Sequence, residues 1–140
     1  MALIVDAGAL YAQADVDDPG HVAVRTTLLS ERDELVTSEL ALAEADYLIL
    51  DRLGPEAEAA FLDDLVEGTY VVDCLDRRAL ADARDLIATY RDLRIGLADA
   101  SLVVLAAQYR TNRILSFDER AFRAVAPLTG GSFTVLPADA

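Results

Sequence analysis

The sequence predicts an α/β fold: one domain over residues 1–140, built on a central parallel β-sheet flanked by helices on both faces. Three observations carry this. Leu3-Ile4-Val5 is a continuous apolar run, short enough for a strand buried on both faces of a parallel sheet. Further short β-rich runs alternate with helix-length segments down the chain. No repeat, linker or low-complexity segment interrupts that alternation.

The first strand ends at Asp6, and after Ala7-Gly8 a short helix is expected from near Ala9 to Gln13. Residues 15–20, Asp-Val-Asp-Asp-Pro-Gly, form a turn. A second helix runs from His21 to Ser30 on Val22, Leu28 and Leu29, with His21, the only histidine, as a surface or capping residue. Leu35-Val36-Thr37 is a second strand. Ser38 then caps a strong helix through Leu53, closed by Gly54-Pro55. Glu56 to Val66 is a further helix with Gly68 as its stop, and Thr69-Tyr70-Val71-Val72 is a third strand rich in β-formers. Arg77 to Tyr90 is amphipathic, with Leu80, Ala83, Leu86 and Ile87 on one face. A loop over residues 91–96 leads into the apolar helix Ala98–Tyr109. A fourth strand, Arg113–Ser116, is followed by Asp118 and a small helix to about Val125. Gly130-Gly131 then turns the chain into a last strand, Ser132–Leu136.

Composition narrows the function classes. The hydrophobic fraction of 54% with 26% charged residues is that of a globular chain able to bury a core. No apolar run approaches the ~20 residues that span a bilayer. The first strand begins almost at Met1 with no positively charged leader before it, so a cytoplasmic protein is expected. The single cysteine, Cys74, excludes an internal disulfide and a cysteine-based zinc site. The net charge is −13, with every basic residue an arginine. Such a total argues against tight non-specific nucleic-acid binding. The charge is uneven, however: residues 77–140 hold nine arginines against seven acids. These arginines either pair with surface neighbours such as Asp82 and Asp85 or form a local basic strip.

Four carboxylates stand out. Asp6 ends a buried strand, and in open α/β sheets ligands bind beyond the carboxyl ends of the strands. Asp6 either caps the next helix or holds a cation. Glu44 lies about 140° round its helix from Glu39 and Asp46, among Leu40, Tyr47 and Leu48. An ionised carboxylate on an apolar stripe is costly unless paired or metal-bound. Asp99 opens a helix apolar nearly all round, where it either compensates the helix dipole or serves a site. Asp118 follows the fourth strand and is placed either to cap a helix or to meet Asp6 at the shared edge. Four unneutralised carboxylates within about 6 Å would raise one another's pKa. A divalent cation removes that conflict, and oxygen-only donors select Mg²⁺ or Mn²⁺.

"LIVDAGALYA" with Asp6, "VTSELALAEADYLI" with Glu44, "IGLADASLVVLAAQY" with Asp99 and "RILSFDERAF" with Ser116 and Asp118 resemble the PIN domain. More narrowly, the chain is similar to the VapC-type toxin ribonucleases of bacterial toxin–antitoxin pairs. The resemblance covers essentially the whole chain and rests on the set of four acids, since no one motif is specific. It implies a PIN-like domain over residues 1–140. It also implies Mg²⁺- or Mn²⁺-dependent endoribonuclease activity, with Asp6, Glu44, Asp99 and Asp118 as an acidic quartet and Ser116 in support. Asp6 and Asp99 are expected to make the most direct metal contacts. A cognate antitoxin is implied as partner, with RNA as substrate.

Arg91, Arg94 and Arg113 are the candidate RNA contacts, drawn from the arginine-bearing segments. Leu42, Ile49 and Leu53 exceed what one core-facing stripe needs, so part of that helix is expected at a homodimer or antitoxin interface, within a larger toxin–antitoxin complex if both form. Two other acid-bearing folds fit less well: a response-regulator receiver requires a lysine, and a haloacid-dehalogenase-type phosphatase requires Asp where Gly8 stands. The remaining alternative is a non-catalytic binding module, its acidic groove holding a structural cation or a partner's Arg.

Overall fold

Five strands, β1 (Leu3–Val5), β2 (Leu35–Ser38), β3 (Val71–Asp73), β4 (Arg113–Leu115) and β5 (Thr134–Leu136), form one sheet in the order β3-β2-β1-β4-β5. All neighbouring pairs are parallel. This computed structural model describes all residues from 1 to 140. Leu3, Ile4 and Val5 of the central strand are fully buried on both sides, which requires helices over both faces.

Seven α-helices connect and cover the strands: α1 (Ala7–Ala14), α2 (His21–Ser30), α3 (Glu39–Leu53), α4 (Pro55–Val66), α5 (Arg77–Thr89), α6 (Leu97–Gln108) and α7 (Glu119–Ala124). A 3₁₀ turn, Arg91–Leu93, lies within the loop before α6. None of the helices is long and apolar enough to cross a membrane. α6 is the most buried, with residues 100–106 all inside. It packs on α5, α3, β1 and β2, as its unbroken apolar surface predicts.

Several details differ from the sequence reading; in α2, Val24 is the buried residue while Val22 and Leu29 are exposed. α1 begins at Ala7 because Asp6 is extended and its carboxylate accepts the Ala7 N–H at 2.7 Å. The third strand begins only at Val71, where it meets Val36 of the four-residue β2. Tyr70 turns inward instead. The largest change concerns α3. Its fully buried positions are Ala41, Ala45 and Ile49, an i, i+4, i+8 row. Glu44 and Tyr47 are exposed. α3 packs against α1, α4 and α6, and small alanines are what such close contact accommodates. Glu44 and Tyr47 therefore face outward, while Leu48 beside them is partly buried against the core. Ile49 lies wholly within the core, which removes its use as interface surface.

Candidate active site

Register alone brings the key residues into one row. Val5 pairs with Leu115, and Ile4 pairs with both Val36 and Ile114. The next residues out, Asp6 and Ser116, are therefore level with each other and with Ser38 at the carboxyl edge of the sheet. Asp118 follows two residues beyond Ser116. The parallel sheet thus gathers residues far apart in sequence without any long-range search by side chains.

Hydrogen bonds lock this edge. The Ser116 hydroxyl donates to Asp6 Oδ2 at 2.6 Å and accepts the Asp118 N–H at 2.9 Å. Both oxygens of Asp6 thus have one partner each, Oδ1 accepting from Ala7 and Oδ2 from Ser116. Asp118 Oδ1 accepts the Ala121 N–H at 3.1 Å and caps α7. Capping and membership of the acidic edge are therefore compatible for both Asp residues, each leaving lone pairs free.

A second lock joins the helices bearing Glu44 and Asp99. Ser101 on α6 donates its hydroxyl hydrogen to the Ala98 carbonyl. Ser38 must then donate to Ser101 Oγ at 2.7 Å, while it accepts the Ala41 N–H as the cap of α3. Both serines are fully buried. This hydroxyl pair fixes the start of α3 against the start of α6, two residues from Asp99. Sequence reading found Ser38 as a cap but missed Ser101. A lone serine in an otherwise apolar helix was the available signal.

Electrostatics show how close the four acids come. Asp6 is 7% exposed. Burial pushes its carboxyl up, the Ser116 and Ala7 hydrogen bonds pull it down, and the charges of Glu44 and Asp118 push it up again. Asp99 is pushed up to about 7, first by burial and then by Asp6, Asp118 and Glu44, against a smaller pull from the Gly96 amide. Asp99 thus feels the charge of the other three acids, and Asp6 that of Glu44 and Asp118. None takes part in a salt bridge of the chain.

The donor set fits a hard divalent cation in chemistry, being oxygen only. No three acidic, histidine or cysteine side chains converge into a ready-made cage. Mg²⁺, which keeps several waters and takes one or two carboxylates from the protein, does not require such a cage.

The three candidate arginines separate. Arg91 and Arg94 are exposed on the loop entering α6 and make no salt bridge. Arg94 holds a left-handed backbone, φ 52°. Arg113 stands at the other end of β4, about 10 Å along the strand from Ser116. Its guanidinium is committed to Glu31 at 2.6 and 3.2 Å and to the Met1 carbonyl at 3.0 Å. It is a structural cation, remote from the acidic edge.

Residues 3–128 match the PIN domain family. Ribonuclease VapC26 of Mycobacterium tuberculosis (strain ATCC 25618 / H37Rv) is 42% identical over 135 residues, covering 96% of this chain and all of that protein. Among solved structures, the sarcin-ricin loop cleaving toxin VapC20 of Mycobacterium tuberculosis superposes with a TM-score of 0.78 at 17% identity, covering 84% of this chain and 90% of that one. VapBC2 of Rickettsia felis, bound to a DNA fragment from its promoter, gives 0.71 at 13% identity over 96% and 98% of the two chains. A toxin–antitoxin complex from Klebsiella pneumoniae gives 0.65 at 11% identity over 88% and 92%. The structural likenesses agree with the five-stranded parallel fold, and the sequence match is far closer. The chain belongs to the PIN-domain family and, within it, to the VapC proteins.

Proposed function

We propose that this chain is an endoribonuclease that hydrolyses RNA phosphodiester bonds with Mg²⁺ or Mn²⁺, acting in the cytoplasm as the toxin of a toxin–antitoxin pair. One observation supports the reading: the carboxyls of Asp6 and Asp99 are pushed up by burial and by neighbouring acids, Glu44 and Asp118 among them, and no basic side chain of the chain pairs with any of the four. A cation must come from outside. The similarity to ribonuclease VapC26 supports the reaction class.

Asp6 and Asp99 would hold the ion, which supplies Lewis-acid polarisation of a phosphoryl oxygen and an acidified water. Ser116 keeps Asp6 Oδ2 in one orientation and the Asp118 backbone in place. Glu44, on the exposed side of α3, serves as a further ligand or orients the attacking water. Asp118 acts through water. Arg91 and Arg94 contact the RNA backbone; Arg113 is left out of that role, its charge being used by Glu31. The partner is an antitoxin whose guanidinium would neutralise the same carboxylates and so inhibit the enzyme. Homodimerisation would use Tyr47 and Leu50, the exposed apolar residues of α3, in place of Ile49.

The test is cleavage of total cellular RNA by partner-free protein, with Mg²⁺ or Mn²⁺ against chelator, beside Asp99→Asn. Discrete metal-dependent fragments, absent from the variant, are expected. No cleavage by folded, metal-loaded protein would replace the enzyme with a binding module.

A further inference from the structure

Between Ser116 and Asp118 stands an aromatic ring that the core does not use. Phe61, Phe122 and Phe133 are buried, whereas Phe117 is 46% exposed. The ring is nonetheless seated. Its far end rests on Gly20, where an added Cβ would lie 2.3 Å from Cζ and 2.7 and 3.0 Å from the two Cε atoms. Gly20 has φ −89° and ψ −3°, a conformation open to any residue. The space taken by the ring, not the backbone, is what requires glycine there. The flanking backbone is pinned as well, because Ser116 Oγ joins Asp6 to the Asp118 amide.

We propose that Phe117 is a stacking platform for a base of the RNA next to the scissile phosphate. The inference rests on the ribonuclease reading and adds a residue that sets substrate binding. Gly20 lies over one face of the ring at its Cζ end, and with the residue 46% exposed the opposite face is the one offered to a splayed single-stranded base, which is recognised by stacking. Phe117 stands in the chain between Ser116 and Asp118, so a base stacked on it would lie near the acidic edge. The net charge of −13 leaves little non-specific attraction for phosphates, so an apolar contact carries a larger share of binding.

The experiment compares the full-length wild type with Phe117→Tyr, Phe117→Leu and Phe117→Ala on a single-stranded RNA spanning the cleavage site mapped in total RNA. Phe117→Leu keeps an apolar cushion for Gly20 but removes the planar face. KM is expected to rise about tenfold or more in the Leu and Ala variants and to stay near wild type in Phe117→Tyr, with thermal midpoints unchanged for Leu and Tyr. The same RNA carrying 2-aminopurine beside the cut should be quenched by Asp99→Asn protein and not by the Asp99→Asn, Phe117→Leu double variant. Equal KM and equal quenching for Phe and Leu would overturn the proposal while leaving the nuclease intact. If total RNA yields no cut, a 2-aminopurine-labelled single-stranded RNA of mixed sequence takes its place, and quenching of it that depends on Phe117 would uphold stacking and sink the hydrolytic reading. Neither quenching nor cleavage would remove both.

Discussion

The two edges of the sheet treat buried acids in opposite ways. At the edge where β4 begins, the Glu31 side chain is only 7% exposed, and Arg113 meets it with two guanidinium nitrogens. Arg113 beside Glu31 holds that carboxyl below its usual range. At the edge where β1 and β4 end, Asp6 is buried and Asp99 on α6 half-buried, yet no arginine pairs with either and burial drives both upward. The chain has the means to neutralise a buried acid and does so where only stability is at stake. Where it does not, the unpaired acids mark a candidate functional site. That contrast separates structural from functional charge more clearly than burial alone.

The comparison is broken most severely at the acidic edge. Under the proposed mechanism Asp99→Asn should lower metal-dependent RNA cleavage by at least about 100-fold, since it removes one of the two carboxylates proposed to hold the ion; a gel of total RNA with and without Mn²⁺ measures it. Ser116→Ala should cost about 10- to 100-fold in Mn²⁺ affinity or activity, because Asp6 loses the donor that orients it and the Asp118 amide loses its acceptor. Calorimetric Mn²⁺ titration follows that loss, and an unchanged affinity would count against Ser116 as a support.

At the opposite edge, Arg113→Ala should cost about 1–2 kcal/mol of stability, with turnover per folded molecule unchanged. Urea unfolding beside a cleavage assay distinguishes this from a role in RNA binding, which would spare stability and raise KM.

The smallest effect is a difference of sign with pH. Asp99 titrates near 7 in the folded protein against 3.8 for a free carboxyl, so the native state holds the proton more tightly than the unfolded chain. Its contribution to stability is full below about 3.8 and is lost as pH rises through about 7. Asp6 acts in the same sense. Glu31 is opposite: its folded pKa is lowered from 4.5, so its stabilisation is present above that value and is lost as pH falls through the lowered pKa. Metal-free protein should therefore melt at a lower temperature at pH 8 than at pH 6. Asp99→Asn should shrink that difference by raising the midpoint at pH 8, and saturating Mg²⁺ should shrink it in the wild type. A midpoint that climbs from pH 6 to 8 in chelator would contradict the assigned charge state of the edge.

Much of this was open to reading from the residues in order. Period-two and period-3.6 patterns, capping serines and glycine stops set the elements to within a few residues, because those signals act over short stretches of chain. The apolar run that ends in Asp6, and the fourth strand followed by Asp118, already placed two acids at one edge, since parallel strands share their carboxyl ends. Other features depended on which face of an element meets which neighbour. α3 buries Ala41 and Ala45, so a count of large apolar side chains assigned its faces wrongly, put Glu44 on the inner stripe and moved Ile49 outward. The Ser38–Ser101 pair spans 63 positions, and the Arg113–Glu31 pair spans 82. Nothing local announces either. Sequence periodicity determines local conformation and the order of the strands' chemistry. Close packing decided which carboxylates find an arginine and which are left with one another, because that depends on distances no linear spacing contains.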